Sequence, residues 1–434
     1  EVYNPYSIVQ LSEVLNDVII SRGDRPIYEG RAVVSNLVNT GLMLIVSATL
    51  VDPWTELVDL KPGPILQNEV KKFINQWDTS HQRLDPAYKL IVTKIRNFLQ
   101  EFNVWLEQIE LSSGINDAQT EQSTKDDFSS DIETASIASL EEMFAEFTQR
   151  AESIPEEDIV THKLFARHEL HPLTLCSPFM HRTFSKPLGY AGDYEMVNMI
   201  LNNKAQGANT YAKVIDSILI RCGTAQAHRN RVEMLTKYLQ QETERVVAED
   251  RPIKILNIGC GPAFEVQQFI KSSSLADHVD FHLIDFNDET LNYTSTRINN
   301  LIKTNNKKTK IQYTQKSVHT LLKQSGSAND SLLEEYDLVY CAGLFDYISD
   351  KICKRLVSLF YRQVIPGGIV IVTNVSKKHP VKGFLEHLQE WYLILRDEAD
   401  FTKFAPKNST SKVLSDETEI NIFLEARKPV ELME

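Results

Sequence analysis

One stretch of the chain constrains the fold more than any other: IKILNIGCGPAFEVQQFI, from Ile253 to Ile270. An apolar run ends at Ile258, a glycine-containing turn follows, and a helical pattern begins near Phe264. A strand, a glycine turn and a helix in that order bring backbone N–H groups close to a bound ligand. The stretch therefore predicts an α/β domain with a ligand site at the turn, which consists of Gly259, Cys260, Gly261, Pro262 and Ala263.

The residues of the turn restrict the kind of ligand. A dinucleotide-binding turn carries a third glycine in the pattern GxGxxG, and Phe264 occupies that position here. Pro262 removes a backbone donor that a pyrophosphate would use. The turn therefore suits a ligand without a diphosphate, and S-adenosylmethionine (SAM) is the candidate cofactor.

A second signal follows at a suitable distance. Phe281 to Ile284 form a short apolar run that ends in Asp285, 24 positions after Gly261. An acid at the tip of the second strand of such a unit can accept hydrogen bonds from both ribose hydroxyls. We therefore expect Asp285 to bind the ribose of the cofactor.

The alternation of strands and helices continues to the C-terminus. Further strands are predicted at 310–318, at 336–341, after the turn Ile365 to Gly368, and from Ile420. This succession resembles the class I methyltransferases in order and spacing, over about residues 225–430. The resemblance implies a Rossmann-like, seven-stranded α/β sheet with helices on both faces and one antiparallel strand.

The same resemblance assigns cofactor contacts. The glycine turn, with Cys260 and Pro262, would approach the methionine part of SAM, and Asp285 would hold the ribose. Asn257 replaces the acid usual in the first strand of the family, and Glu265 is expected to compensate for it. The remaining predicted contacts are Phe286, Ser317 and Val318 at the adenine, and Ala342 and Gly343 along the cofactor.

A glycine- and tyrosine-rich segment, KPLGYAGDYEM from Lys186 to Met196, precedes the predicted sheet. Asp193 is expected to cap a helix that starts at Tyr194, and Tyr190 is expected to close over the methyl donor. PLGYAGDYEM, GCGPAFE and GLFDYISD together resemble a bacterial group described as extracellular-factor 3-hydroxypalmitate methyl ester biosynthesis proteins. The candidate catalytic residues are His181, Tyr190, Asp193, Arg229, Asp346 and Tyr347.

That resemblance implies O-methylation of the carboxyl group of a hydroxy fatty acid. A carboxylate is ionised at neutral pH and needs no general base, whereas an alcohol or an ammonium group does. Two alternatives stay open: a regulatory protein that senses SAM or a cyclic dinucleotide on an inactive methyltransferase fold, and N-methyl or aminopropyl transfer on the same fold.

The rest of the chain divides by composition. Residues 1–56 are expected to form a small β module, whose stretch Asn36 to Gly41 distantly resembles the (D/N)xSxxG turn of PilZ domains, with Val38 at the serine position. Residues 57–111 are expected to be helical, including one amphipathic helix from Asp85. The polar residues 112–136 are expected to be a flexible linker. Residues 137–248 would form a helical cover, and 249–434 the catalytic domain.

Charge and cysteine content exclude several classes of function. With 46 basic and 59 acidic side chains, the net charge of −13 disfavours nucleic acid as a partner. The most apolar stretch, from Leu37, has 15 residues, too few to span a bilayer. Five cysteines without a CxxC pair argue against a zinc site and suit a reducing cytoplasm. We expect a small-molecule substrate, no metal, and a homodimer formed through the N-terminal part or the 85–110 helix.

Overall fold

The computed structural model describes residues 14–22, 25–39, 44–53, 66–68, 70–75, 83–115, 120–324 and 335–430. The chain divides into two compact units. The first comprises Glu1–Pro86 with Pro155–Thr161, and the second comprises Ala87–Ile154 with His162–Glu434. Within the described ranges, no helix combines the length and the apolar character that a membrane span requires.

The first unit contains a three-stranded antiparallel sheet in the order β1-β2-β3. Its strands are β1 (Val14–Arg22), β2 (Arg25–Asn39) and β3 (Leu44–Leu50). Asn36 and Asn39 belong to the end of β2, whereas Thr40 and Gly41 lie outside the described residues. The resemblance to PilZ therefore remains a prediction.

Helices occupy the region before the main sheet. The predicted amphipathic helix is confirmed as α1 (Pro86–Ser113), which buries Tyr88, Ile91 and Ile95 on one face. The helices that follow are α2 (Gln122–Glu152), α3 (Ile159–Thr174), α4 (Pro178–Ser185), α5 (Tyr194–Asn202), α6 (Thr210–Arg221) and α7 (Gly223–Val247).

The prediction of a flexible linker over 112–136 is wrong for residues 112–113, which end α1, and for residues 122–136, which belong to α2. The prediction rested on the shortage of large apolar side chains. In the structure, the small residues Ser129 and Ser136 are buried, and the carboxylate of Glu133 forms an ion pair with Arg221 at 2.5 Å. Tertiary contacts of small and charged side chains therefore hold a helix that composition alone does not favour.

The main sheet has seven strands in the order β6-β5-β4-β7-β8-β10-β9. Neighbours from β6 to β8 run parallel, and β10 is antiparallel to both β8 and β9. This arrangement confirms the predicted seven-stranded α/β fold, although β9 had no counterpart among the strands predicted individually. The strands are β4 (Ile253–Ile258), β5 (Val279–Asp285), β6 (Lys310–Gln315), β7 (Tyr336–Cys341), β8 (Val364–Val375), β9 (Thr410–Ser415) and β10 (Asn421–Arg427).

The parallel strands are buried, and their carboxyl ends meet at one edge. Every residue of β7 is buried, as expected for a central strand of a parallel sheet. Ile258, Asp285 and Cys341 end three adjacent strands at the same edge, where α/β sheets bind ligands. The helices in this half are α8 (Phe264–Ser272), α9 (Asp288–Thr304), α10 (Val318–Gln324), α11 (Asp350–Gln363), α12 (Lys382–Leu388) and α13 (Glu398–Thr402).

Candidate functional site

The glycine turn adopts a backbone that glycine makes accessible. Gly259 and Gly261 have φ angles of +69° and +53°, in the left-handed region. The backbone N–H groups of Gly259 and Cys260 donate to the carbonyl of Ile284 at 2.8 and 3.0 Å, which fixes the turn against β5. A Cβ placed on Gly261 would meet no atom within 4 Å. The turn therefore faces open space, into which a ligand can approach the backbone closely.

Asp285 lies directly beside this turn. Its side chain is only 5% exposed, and its Oδ2 and Oδ1 atoms accept hydrogen bonds at 3.0 Å from the N–H groups of Gly261 and Asn287. Burial raises the pKa of Asp285, while backbone N–H donors from Asn287, Gly261 and Phe286 oppose the rise. Since each carboxylate oxygen has two lone pairs, the fixed carboxylate can still accept further hydrogen bonds from a ligand.

The segment that precedes α5 reaches the same place. The rings of Tyr190 and Phe286 lie with centroids 5.5 Å apart at an angle of 52°. Burial raises the pKa of Tyr190, and the charges of Asp285 and Asp193 raise it further. The structure therefore brings Tyr190 next to Asp285, which the sequence placed 95 positions away.

Asp193 has a structural role that matches the predicted helix cap. It is fully buried, precedes α5, and accepts a hydrogen bond from the N–H of Met196 at 2.9 Å. Its Oδ2 atom also pairs with Nη2 of Arg182 at 2.7 Å. These contacts use both carboxylate oxygens, so the cap and the ion pair account for Asp193 without a ligand.

The loop after β7 contributes Asp346 and Tyr347. Oδ1 of Asp346 accepts from the N–H of Val375 at 2.6 Å, and the Tyr347 hydroxyl accepts from Nε1 of Trp391 at 3.0 Å. Burial raises the pKa of both Asp346 and Tyr347. A Cβ on Gly192 would lie 2.6 Å from the Tyr347 hydroxyl, so the glycine-rich segment packs directly on this tyrosine.

The cover is tied to the segment that follows α12. The Thr183 hydroxyl donates to Oε1 of Gln389 at 2.7 Å, and Nζ of Lys186 donates to the carbonyl of Glu390 at 2.8 Å. These bonds lie on either side of the end of α4. Residues near 390 therefore anchor the segment that carries Tyr190.

Behind the turn, three buried polar side chains form a closed set of hydrogen bonds. Nδ2 of Asn257 donates to Oε1 of Glu265 at 3.1 Å and to the Tyr340 hydroxyl at 2.9 Å, and Tyr340 donates to Glu265 at 2.7 Å. Burial raises the pKa of Glu265. Glu265 thus contacts Asn257 directly, and its predicted contact with the cofactor stays a prediction.

Two predicted catalytic residues have contacts that point elsewhere. His181 is exposed on α4. Arg229 donates through Nη1 to the carbonyls of Ile200 and Ile220 at 3.1 and 2.9 Å, in the last turns of α5 and α6. Arg229 therefore satisfies carbonyls at the ends of two helices.

The remaining predicted cofactor contacts lie around the same edge of the sheet. Ser317 accepts a hydrogen bond from the N–H of Thr320 at 3.2 Å at the start of α10, and Val318 is buried beside it. Gly343 follows β7 with a φ of +89°. Burial raises the pKa of the Cys260 thiol well above its usual value, so this cysteine is a protonated, apolar part of the turn.

Arg231 belongs to the same motif, HRNR, as the candidate catalytic residue Arg229 and lies two positions beyond it on α7, but it is not among the six predicted catalytic residues. Arg231 is 9% exposed, and a Cβ on Gly343 would lie 3.5 Å from both of its Nη atoms. Its charge lowers the pKa of Glu265 and of Asp346. No hydrogen bond or ion pair joins Arg231 to another residue of the described part of the chain.

A signal for Arg231 was present in the sequence. Leu235 and Leu239 follow it at steps of four and are buried on α7, so Arg231 continues the buried stripe of that helix. A cation in a buried stripe requires compensation. Periodicity therefore distinguishes Arg231 from Arg229, which the motif HRNR does not.

No protein-family model and no curated protein matches the chain. Among solved structures, it is similar to a possible exported protein from Bordetella parapertussis, with 17% identity and a TM-score of 0.45 over 68% of this chain and 97% of that one. It is also similar to the N-methyltransferase NodS from Bradyrhizobium japonicum WM9 with S-adenosylhomocysteine (SAH), with 15% identity and a TM-score of 0.32 over 46% and 87%. A third is magnesium protoporphyrin IX methyltransferase (ChlM) from Synechocystis PCC 6803 with SAM, with 12% identity and a TM-score of 0.34 over 53% and 90%. These distant likenesses assign no function to this chain.

Proposed function

We propose that the protein is a SAM-dependent methyltransferase that acts on a small molecule. The observation that carries the proposal is the pairing of Gly261 with Asp285. The glycine faces open space, and its N–H holds a buried carboxylate at the tip of the adjacent strand. A ligand with a ribose and no diphosphate fits this pairing, because the carboxylate can accept from both hydroxyls while Pro262 removes a donor from the turn.

The residues around this pair suit the other parts of the cofactor. Phe286 offers an aromatic ring next to Asp285, and Ser317 and Val318 follow the neighbouring strand β6, where the adenine would lie. We assign the carboxylate of the methionine part to Arg231, the buried cation beside Gly343. An arginine binds a carboxylate through two parallel hydrogen bonds, which supply the partners that this guanidinium lacks among the described residues.

When bound, SAM supplies an electrophilic methyl group on a sulfonium. The chain must therefore hold the acceptor in line with that group and exclude water. Tyr190 and Tyr347 suit these tasks, because a phenol is neutral at neutral pH and can donate a hydrogen bond, and burial raises the pKa of both further. Neither phenol is suited to act as a base.

We further propose O-methylation of a carboxylic acid, with a hydroxy fatty acid as the substrate class. Four of the six predicted catalytic residues are unsuited to act as a general base at neutral pH. Tyr190 and Tyr347 are neutral phenols, Asp193 is held by Arg182, and Arg229 is a cation that bonds the carbonyls of Ile200 and Ile220. A carboxylate acceptor is already ionised and needs no base.

The five unpaired cysteines favour a reducing compartment, which we infer to be the cytoplasm.

Isothermal titration calorimetry with SAM and SAH tests the cofactor. We expect one site per chain and a loss of about 1.5 to 3 kcal/mol of binding free energy in Asp285→Ala, the range for a hydrogen bond to a charged group. Asp280→Ala is the matched control, because Asp280 belongs to the same strand but lies at its opposite end. Absence of binding to either compound would refute the proposal.

A set of acceptors with one common chain tests the reaction. 3-Hydroxydecanoic acid, 1-decanol and decylamine are each incubated with enzyme and SAM, and SAH release is measured. We expect turnover with the acid and none with the alcohol. Turnover with the amine alone would establish N-methylation in place of ester formation, and SAM binding without turnover of any acceptor would favour a sensor.

A further inference from the structure

A cavity of about 320 Å³ lies in the second unit, between the helical cover and residues 375–393. That volume is at the lower end of the roughly 300 to 1,000 Å³ of small-molecule sites. Phe144, Phe179, Ile218 and Leu393 are among the apolar side chains in its wall. At about 30 Å³ for a group the size of a water or a methylene, the cavity has room for about ten such groups.

Two histidines, buried His379 and partly buried His228, interrupt this apolar wall. His379 is 5% exposed, and neither Nδ1 nor Nε2 of its ring has a hydrogen-bond partner among the described residues. Nδ1 of His228, also in the wall, is likewise unpaired in the described part of the chain. A buried polar atom without a partner costs about 1 to 3 kcal/mol. A ligand that bonds to these atoms would recover this free energy.

Both imidazoles are neutral. Burial lowers the pKa of His379 to about 4 and that of His228 well below its usual value. His379 and Arg231 lower the pKa of His228 further, which places the two histidines within electrostatic reach of each other. A neutral imidazole carries one donor and one acceptor nitrogen. The complementary ligand group is a hydroxyl, which also donates and accepts.

The mouth of the cavity carries a negative charge. Glu141 and Ala145 of α2 are exposed members of the lining at the mouth, together with Gly223 and Pro380. Glu141 is the one charged side chain in the wall, since both histidines are neutral, and it is an anion. An anionic ligand would therefore meet repulsion at the mouth and no cation inside.

We propose that this cavity binds an uncharged alcohol, whose apolar chain fills the cavity and whose hydroxyl bonds to His379 and His228. The assignment is independent of methyl transfer, since the wall contains neither the glycine turn nor Asp285. One contact connects the cavity with the loop after β7, because Trp391 lines the cavity and its Nε1 donates to the Tyr347 hydroxyl.

Calorimetry of the full chain at pH 7.5, without cofactor, tests the site with three probes of equal chain length: 1-octanol, 1-chlorooctane and octanoate. We expect saturable binding of octanol to one site, weaker binding of chlorooctane and no binding of octanoate. In His379→Leu, octanol affinity should fall about 3- to 10-fold, the loss of one hydrogen bond, while chlorooctane affinity stays the same.

Ala145→Trp closes the mouth at an exposed position and should lower octanol affinity at least 10-fold. Ala138→Trp is its matched control, because Ala138 is exposed on the same helix and does not line the cavity. Circular dichroism confirms that each variant is folded. The proposal is overturned if octanol shows no saturable binding, or if its affinity is equal in the parent and in all three variants. Either result counts against the proposal independently of whether the protein binds SAM.

Discussion

Replacing Arg231 by methionine separates binding from stability. The side chain is buried but forms no hydrogen bond or ion pair with the described residues, so its removal breaks no such contact. Methionine keeps the apolar stem and loses the cation. We expect Arg231→Met to weaken SAH binding strongly and to leave the folded state nearly as stable.

The magnitudes follow from the contacts of two neighbouring arginines. A hydrogen bond to a charged group is worth about 1.5 to 3 kcal/mol, so the loss of the carboxylate contact should weaken SAH binding about 10- to 100-fold. The free energy of unfolding should change by less than about 1 kcal/mol, because replacing buried charge by an apolar side chain of similar volume is often neutral or stabilising. Arg229→Met should instead lower the free energy of unfolding by about 1.5 to 3 kcal/mol, since Arg229 bonds the carbonyls of Ile200 and Ile220.

Two ligands locate the effect within the cofactor. SAH contains the amino-acid part, and 5′-methylthioadenosine contains the same adenosine without it. Calorimetry should show that Arg231→Met loses affinity for SAH and keeps its affinity for methylthioadenosine. Asp285→Ala should lose affinity for both, because the ribose is common to them. Urea unfolding of each variant measures its free energy of unfolding.

Equal losses for both ligands in Arg231→Met would refute the assignment of the carboxylate to this residue. Unchanged SAH affinity with a raised KM for the acceptor would move Arg231 to the acceptor site. Destabilisation as large as that of Arg229→Met would show that the guanidinium supports the fold. Each of these outcomes contradicts the reasoning from burial and missing partners.

Three further predictions concern the same edge of the sheet. Tyr190→Phe loses only the hydroxyl, so it should lower turnover and change the free energy of unfolding by less than about 1 kcal/mol. A steady-state assay and urea unfolding measure the two effects. Full activity would show that the Tyr190 hydroxyl has no role in the site. Gly192→Ala should destabilise the fold by about 1 to 3 kcal/mol, since the new Cβ would lie 2.6 Å from the Tyr347 hydroxyl, and an unchanged melting temperature would contradict this packing. Burial raises the pKa of Asp285 above 3.8, so on acidification SAH affinity should begin to fall at a higher pH than it would with an ordinary aspartate. In the free protein, ionisation of this buried carboxyl lowers the stability as pH rises through its pKa. Calorimetry between pH 7 and 5 checks the SAH affinity, which should depend less on pH in Asp285→Asn.

The sequence predicted the sheet well because its signals are local. Runs such as Leu338 to Cys341 are apolar without alternation, which is typical of buried parallel strands, and the turn at Gly261 requires a left-handed backbone. Strand β9 was missed because its sequence, TSKVLS, is mostly polar. It lies at the edge of the sheet, where it pairs with only one strand, β10. Helix α2 was missed because its stabilising contacts, such as Glu133 with Arg221, join distant parts of the chain.

The site was predictable only in part for a related reason. The spacing of Gly261 and Asp285 follows from one strand–turn–helix unit, so their contact could be anticipated. The partners of Asp193 and Arg229 depend on how helices pack, and a motif does not distinguish a residue that faces a ligand from one that caps a helix. Arg231 and His379 are candidates because they lack hydrogen-bond partners among the described residues, and only the three-dimensional structure reveals this.

The anchoring of the cover by residues near 390 has a consequence for protein synthesis. Thr183 and Lys186 are separated by 206 and 204 positions from their partners Gln389 and Glu390. At about 5 to 20 residues per second, the ribosome adds those partners roughly 10 to 40 s after the cover segment has been made. During that interval the glycine-rich segment lacks these two bonds, and its final position waits for the last stretch of the sheet domain. A ribosome-bound chain that stops before residue 380 should therefore leave this segment open to protease.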